Sequence, residues 1–363
     1  MSELAYDGAA MIIRQLFDLT SFTHTYLLVD ERTRDAVVID SVFEQHARDA
    51  ALVRELGVTL RYALDTHCHA DHVTGAWLMK RAFGAQIGLA AVYGAAEIDR
   101  ALVHGDVLAF GACALEVRAV PGHTAGCLAV VTADRRAVFT GDALLVRGAG
   151  RTDFQQGDAH QLFRSIRGQL FTLPDDCVVY PGHDYEGRTS STIGEERRFN
   201  ARIGGGAREE DFVGYMTNLG LPHPKQLAVA VPANLRAGKP EVDVVATDAD
   251  WGPIVLTYAG IAEIAPEWLA QRRRDVQILD VRNATELAGE LGYLQDAIAI
   301  PLDELRARVD EIAHDKPVVV VCQTGRRSCL GTVILRKAGI ARCASLAGGM
   351  VRWQELGLPL APG

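Results

Sequence analysis

The chain is 363 residues long, 48% hydrophobic and 23% charged, with a formal net charge of −9 and seven cysteines. That length exceeds what one hydrophobic core normally serves, so two domains are expected, and the composition excludes a disordered or fibrous chain. The negative balance excludes nucleic acid and anionic membrane as main partners, because both would repel the chain at long range, and leaves small molecules.

The first residues lack a basic segment followed by an apolar run and a small-residue cleavage site, and no stretch approaches eighteen uninterrupted apolar residues. A soluble, unexported protein is therefore expected. The cysteines are odd in number and scattered without paired spacing, which fits a reducing compartment. The bacterial cytoplasm is the expected location; the mitochondrial matrix would fit as well.

From residue 12 to about 185, short β-branched runs alternate with amphipathic stretches. Strands are expected over 26–29, 36–39, 62–65, 114–120, 137–140 and 177–180, and helices over 43–56, 73–83 and 159–170, where apolar residues recur every three or four positions. This is an α/β pattern with a mixed sheet. Two further helical patches follow Glu195, and then Pro222, Pro224, Pro232, Gly238 and Pro240 repeatedly interrupt regular structure. The spacing places a first domain over 1–240, a linker over 241–258 and a small α/β domain over 259–363. In the last, strands are expected at 276–280, 317–322 and 341–346, with helices at 303–313 and 328–337.

Five histidines sit in three short motifs: Thr66-His67-Cys68-His69-Ala70-Asp71-His72, Pro121-Gly122-His123-Thr124 and Pro181-Gly182-His183-Asp184. Thr140-Gly141-Asp142 adds a carboxylate. Each motif follows an expected strand, so all are carried on strand-end loops. One His beside one Asp is ordinarily a hydrogen-bonding pair. An H-x-H-x-D-H run in a tight loop, joined by two Gly-His turns, instead surrounds a common centre, and imidazole with carboxylate suits Zn, Fe or Mn. All seven side chains of a two-metal hydrolase are present, so spacing alone leaves one metal or two. Arg147, Arg151, Arg188 and Tyr185 lie on or near the same loops and are candidates for an anionic substrate.

Over roughly residues 12–240 these motifs resemble the metallo-β-lactamase superfamily. Within it, Gly141-Asp142-Ala143-Leu144-Leu145, the run Gly150-Arg151-Thr152-Asp153-Phe154-Gln155-Gln156-Gly157 and Val231-Pro232-Ala233-Asn234 are similar to the persulfide dioxygenase family. The resemblance implies an αββα sandwich and one Fe(II) per chain held by His67, His123 and Asp142. It leaves His69, Asp71, His72 and His183 to orient those ligands. It also implies oxidation of glutathione persulfide by O2 to sulfite and glutathione, so that the four side chains above would meet glutathione, with Arg151 foremost.

In the last domain, Val318-Val319-Val320-Val321 leads into Cys322-Gln323-Thr324-Gly325-Arg326-Arg327, with a helix expected from about Ser328. Such a loop aims successive N–H groups at the sulfur, and the helix dipole and guanidinium groups favour a thiolate. Cys322 thus reads as a nucleophile, whereas Cys329 and Cys343 lack such a loop and read as inert. The stretch 259–363 resembles the rhodanese family, with support from Leu279-Asp280-Val281-Arg282, Ile300-Pro301-Leu302 and Leu346-Ala347-Gly348-Gly349-Met350. The resemblance implies a small parallel-sheet domain in which Cys322 carries a sulfane sulfur between thiosulfate or sulfite and glutathione. Gln323, Thr324 and Gly325 would form the loop, Arg327 would close it, and Arg326 would face the anionic donor. The segment Gly292-Tyr293-Leu294 departs from that family's usual Gly-His-Ile.

Together the motifs lead to an enzyme of sulfur metabolism with two sites sharing one metabolite. A binuclear thioester hydrolase fused to a sulfurtransferase, a metal-free scaffold for a partner protein, and a sulfur carrier to a protein acceptor remain as alternatives. A homo-oligomer is compatible with all of them.

Overall fold

The computed structural model describes residues 10–241 and 250–360, and the chain divides into two compact units, Met1–Val242 and Asp243–Gly363. In the first unit, one sheet holds, in spatial order, β1 (Met11–Phe17), β2 (His24–Asp30), β3 (Asp35–Ile39), β4 (Thr59–Leu64), β5 (Gln86–Ala90) and β6 (Arg100–Leu102). The other holds β7 (Val107–Phe110), β8 (Cys113–Ala119), β9 (Leu128–Thr132), β10 (Ala137–Gly141), β11 (Val178–Pro181) and β12 (Ser191–Thr192). Both are mixed, as β3 to β6 and the β10–β11 pair run parallel and the other pairs antiparallel.

Strand alternation builds the layers, because successive side chains point to opposite faces. Leu28, Val37 and Ile39 of the first sheet meet Leu115, Val130 and Phe139 of the second in a central core. Leu27, Val29 and Val38 point the other way, onto a cluster shared with the helices His46–Glu55 and Ala76–Phe83. Ala129, Val131 and Val138 do the same for the second sheet, against Leu162 and Ile166 of the 159–170 segment and Phe212 and Met216 of the helix Glu209–Thr217. The result is the αββα sandwich expected. Helix Leu227–Asn234 forms across Pro232, in a tract where the prolines suggested interruption; its apolar run is long enough to carry one missing N–H.

The second unit is one sheet in the order β13 (Val255–Leu256), β14 (Ala262–Ile264), β18 (Cys343–Leu346), β17 (Val318–Val321), β15 (Gln277–Asp280) and β16 (Ala297–Ala299), parallel throughout except at β13–β14. The four valines of β17 are all buried: Val319 and Val321 enter one core, Val318 and Val320 the other. A β-branched run covered on both faces is what a central parallel strand requires. Residues 242–249 of the expected linker lie outside the described residues, and its remainder carries Trp251 and Ile254 against the second unit's core.

One helix is corrected. Residues 303–313 form successive turns and a 3-10 turn, Val309–Glu311, in place of an α-helix. Leu305 and Ile312 are buried as helical spacing demands, but most of the backbone bonds run from i to i+3, including Glu304 to Pro301 and Ile312 to Val309. Among the described residues, no helix is long and apolar enough to cross a membrane.

Candidate active site

All four histidine and aspartate motifs emerge from strand C-terminal ends on one rim of the sandwich: 66–72 after β4, 121–124 after β8, Asp142 after β10, and 182–184 after β11. His67, His123 and Asp142 are buried and bring one ligand atom each within 4.8 Å of one another. The His123 and His67 rings stand edge to face at 5.0 Å.

Hydrogen bonds fix which nitrogens face the centre. His123 Nδ1 donates to the Arg151 carbonyl at 2.6 Å, which leaves Nε2 with its lone pair, 3.6 Å from Asp142 Oδ2. Thr66 Oγ1 donates to Asp40 Oδ2 at 2.8 Å, so it accepts from His67 Nδ1 at 3.0 Å and leaves His67 Nε2 unprotonated. Burial holds both imidazoles below their usual range against the pull of the Asp142 carboxylate, which keeps them neutral and ligand-ready.

The remaining motif side chains are largely committed to one another. His183 Nδ1 meets Asp142 Oδ1 at 2.7 Å and its Nε2 meets Asp71 Oδ2 at 3.0 Å. Burial opposes a charge on this ring, yet the two carboxylates outweigh it and raise it well above an ordinary histidine. Asp71 Oδ2 is also 2.8 Å from His72 Nδ1, and His69 Nε2 is 3.1 Å from Asp40 Oδ1. Asp40 likewise overcomes burial and raises His69 to about 9. His69 Nδ1 and His72 Nε2 are buried and bond to no described protein group.

Two glycines allow this density. A Cβ on Gly182 would lie 2.7 Å from Asp142 Oδ1, and one on Gly150 would strike the Asp142 carbonyl oxygen and sit 2.9 Å from His123 Nδ1.

Residues 20–183 match the family model described as Metallo-beta-lactamase superfamily, and residues 265–356 match Rhodanese-like domain. The human mitochondrial persulfide dioxygenase ETHE1 is 50% identical over 239 residues, which cover 66% of this chain and 93% of that protein. The chain belongs to the persulfide dioxygenase family. The crystal structure of ETHE1 from Myxococcus xanthus is 48% identical, with a TM-score of 0.60, over 63% of this chain and all of that one. The hydroxyacylglutathione hydrolase GloC of Haemophilus influenzae is 31% identical, covering 51% of this chain and 95% of its own. This persulfide dioxygenase homologue is therefore a sulfur-metabolising enzyme, an oxidoreductase unit joined to a sulfurtransferase domain.

Sequence reasoning missed several residues that shape the persulfide dioxygenase site. Asp40, in a left-handed conformation at φ 53°, holds both Thr66 and His69. Thr23 Oγ1 lies between 3.1 and 3.3 Å from Asp71, His72 and His183. Asn234 Nδ2 donates to the carbonyls of His69 and His72 at 3.0 and 2.9 Å, while its Oδ1 accepts from Thr74 N–H at 2.8 Å. Only Asn234 carried a signal, as the end of the family-like Val231-Pro232-Ala233-Asn234 segment, for which the sequence alone gives no role. The segment 150–157 ties the centre together: Gly150 N–H bonds the Asp142 carbonyl, Arg151 O accepts a hydrogen bond from His123 Nδ1, and Gln155 Nε2 donates to the Cys68 carbonyl at 2.9 Å.

The expected glutathione contacts are placed unevenly. Arg151 grips Asp153 through two 2.7 Å bonds and donates to the carbonyls of Leu221 and Pro222. Arg147 pairs with Glu195 and the buried Glu196, and Arg188 with Glu186 and the Val146 carbonyl. Tyr185 is 65% exposed and its ring lies parallel to that of His183, 6.1 Å away.

In the second unit, β17 delivers Cys322 to a short loop, and the helix begins at Arg326, two residues before the expected start, with Gly325 in a left-handed conformation at φ 92°. Cys322 is only 1% exposed. Among the described residues, no loop N–H bonds its sulfur, contrary to the simplest expectation; the sulfur's hydrogen-bond partner is Ser328 Oγ at 3.4 Å. The N–H groups of Gln323, Thr324 and Gly325 are bonded to no described protein group, so they stay available to an incoming anion. Arg327 closes on Glu286 through bonds of 2.6 and 2.5 Å, and Glu286 caps its own helix at Asn283. Arg326 is exposed.

Proposed function

We propose that the first unit oxidises glutathione persulfide with dioxygen, and that the second exchanges sulfane sulfur between thiosulfate and glutathione through a persulfide on Cys322. The first reaction balances as glutathione persulfide plus O2 and water giving glutathione, sulfite and two protons. His67, His123 and Asp142 would hold one Fe(II): two lone-pair nitrogens and one carboxylate converge from three loops, a donor set suited to ferrous iron with positions left open. When bound, that ion would activate dioxygen toward the terminal sulfur of the substrate. The chain's own residues do the rest. Asp40 through Thr66, and the Arg151 carbonyl, hold the two imidazoles in one tautomer. Tyr185 stands at the surface beside His183, where it would receive the tripeptide; Arg188 is the arginine nearest to it in sequence, and Arg147 and Arg151 brace the loops beneath.

The observation that carries the one-metal reading is His183. Its two ring nitrogens lie 2.7 and 3.0 Å from Asp142 and Asp71, the carboxylates that a second metal would need, so a second ion would have to displace both contacts. The greater identity to a persulfide dioxygenase than to a thioester hydrolase points the same way. In the second unit, the Cys322 thiolate would attack the outer sulfur of thiosulfate. The sulfur–sulfur bond breaks, its electron pair leaves with sulfite, and the new cysteine persulfide passes its outer sulfur to glutathione. Joining the two units keeps producer and consumer of glutathione persulfide at equal stoichiometry.

Elemental analysis of anaerobically purified protein, with an oxygen electrode run on glutathione persulfide, tests this. One iron per chain and persulfide-dependent oxygen uptake are expected. Two zinc ions per chain and no uptake would establish the hydrolase instead.

A further inference from the structure

A nucleophile that is 1% exposed has to lose its proton before it can attack, and in the resting structure its sulfur contacts a protein hydroxyl. A continuous line of hydroxyl and thiol groups leads away from Cys322. Its Sγ is 3.4 Å from Ser328 Oγ, which is 2.8 Å from Ser345 Oγ. Ser345 Oγ is 3.7 Å from Cys329 Sγ, and Cys329 Sγ is 4.0 Å from Glu263 Oε1. Ser328 and Ser345 are fully buried, whereas Cys329 and Glu263 are partly exposed. The line therefore joins a buried thiol to the surface through three different elements: the helix Arg326–Lys337, β18 and β14.

The Ser328 hydroxyl is overcommitted. It has one hydrogen, and Gly325 O at 2.8 Å, Ser345 Oγ and the Cys322 sulfur all lie within reach. Such a group is a rotor, able to donate outward in one state and back to the sulfur in the other. Buried polar pairs are costly unless fully used, and nothing about packing alone requires two facing serine hydroxyls and a thiol at this place.

We propose that Ser328, Ser345 and Cys329 form the proton exit of Cys322, and that Ser328 then holds the thiolate by donating to its sulfur. In the step, the Cys322 S–H bond breaks and an O–H bond forms on Ser328. The Cys329 S–H reaches both Ser345 Oγ and Glu263 Oε1, and in this step it turns to Glu263, so that the hydrogen of Ser328 moves to Ser345, that of Ser345 to Cys329, and that of Cys329 to the Glu263 carboxylate, from which water removes it. Each hydrogen-bond donor now points back along the line, so Ser328 O–H faces the anionic sulfur. The electron pair freed on Cys322 attacks the outer sulfur of the donor, and sulfite leaves with the electrons of the broken sulfur–sulfur bond. Cys329 thus acts as a relay group, not as a second nucleophile, and Ser328 and Ser345 are positioning residues. The charged groups nearby are Arg327 on the same helix, Glu263 on β14, the closed Asp280–Arg282 pair at the end of β15 and the Arg352–Glu355 pair on the helix Gly349–Glu355.

The inference rests on the reading of Cys322 as the sulfur acceptor, so the test uses two measurements on the full chain. Sulfur transfer from thiosulfate to glutathione is followed by sulfite release, and ionisation of Cys322 by the pH dependence of its alkylation, read on its own peptide by mass spectrometry. Ser328→Ala is expected to slow alkylation of Cys322 at pH 7 by about tenfold, the equivalent of one pKa unit, and Ser328→Thr to restore it. Cys329→Val is expected to lower turnover severalfold and Cys329→Ser to restore it, because a hydroxyl relays a proton as a thiol does. An unchanged alkylation profile in Ser328→Ala, or equal turnover in Cys329→Val and Cys329→Ser, would overturn the relay. If Cys322→Ser itself retains sulfur transfer, the assignment of the nucleophile fails instead. Thermal midpoints of the Ala and Val variants, compared with their Thr and Ser partners, separate loss of the relay from loss of the fold.

Discussion

The side chain of Asn234 spans the loop that carries His72: its Nδ2 donates to the carbonyls of His69 and His72 and its Oδ1 accepts from Thr74 N–H, so one buried amide fixes both ends of a six-residue turn. Asn234→Ala leaves three buried backbone groups without a partner. A stability loss of about 3 kcal/mol is expected, since each such orphan costs about 1–3 kcal/mol. The check is a lower midpoint for unfolding of the first unit together with reduced iron content. Unchanged values for both would show that the turn holds itself.

Arg151 is bonded to Asp153 and to two carbonyls of the 221–222 turn, while its own carbonyl orients His123. Arg151→Gln is expected to cost about 2 kcal/mol through the lost charged hydrogen bonds. Oxygen uptake would fall because His123 loses its support, with the Michaelis constant for glutathione persulfide little changed. A large rise in that constant with normal iron content would instead make Arg151 a substrate contact.

Removing each chemical group should silence one reaction and spare the other. Cys322→Ser is expected to abolish thiosulfate-dependent oxygen uptake and leave uptake with preformed glutathione persulfide intact. His123→Ala is expected to do the reverse, losing iron and oxygen uptake while sulfur transfer persists. No oxygen uptake by the unaltered chain, with its remaining function fully retained in His123→Ala, would favour a unit that only scaffolds.

Glu286 is held down to about 2, chiefly by its paired bonds to Arg327. A carboxylate whose pKa is lowered by folding stabilises the fold above its unfolded value, and that contribution disappears as pH falls through the folded one. Glu286→Gln should therefore weaken the second unit at pH 7, by about 1 kcal/mol for a pair that solvent still reaches. The difference from the unaltered chain should shrink as pH drops from about 4.5 toward 2. Denaturant unfolding at several pH values reads it, and a difference that stays constant with pH would assign the effect to packing.

The sandwich was readable because Leu27, Leu28 and Val29 alternate between two cores, and the parallel sheet of the second unit because β17 is four β-branched residues buried on both faces. The convergence of His67, His123 and Asp142 was readable because each ligand follows a strand end by one to four residues. Asp40, Thr23 and the Ser328–Ser345 pair were not, since no spacing rule links residues that meet only through tertiary packing. The segment 303–313 misled for a related reason: a 3-10 turn buries Leu305 and Ile312 much as an α-helix would, so burial pattern cannot separate the two. The pairing of Arg147 with Glu196, 49 residues away, was not readable, whereas that of Arg151 with its neighbour Asp153 was.

Gly150 and Gly182 mean that the first centre is walled in part by naked main chain. Its shape is consequently written in backbone coordinates that side-chain replacement cannot tune gradually. Attempts to widen the substrate range by directed evolution should find useful variation only outward, around Tyr185 and Phe22, while an alanine at either glycine eliminates the catalyst in a single step.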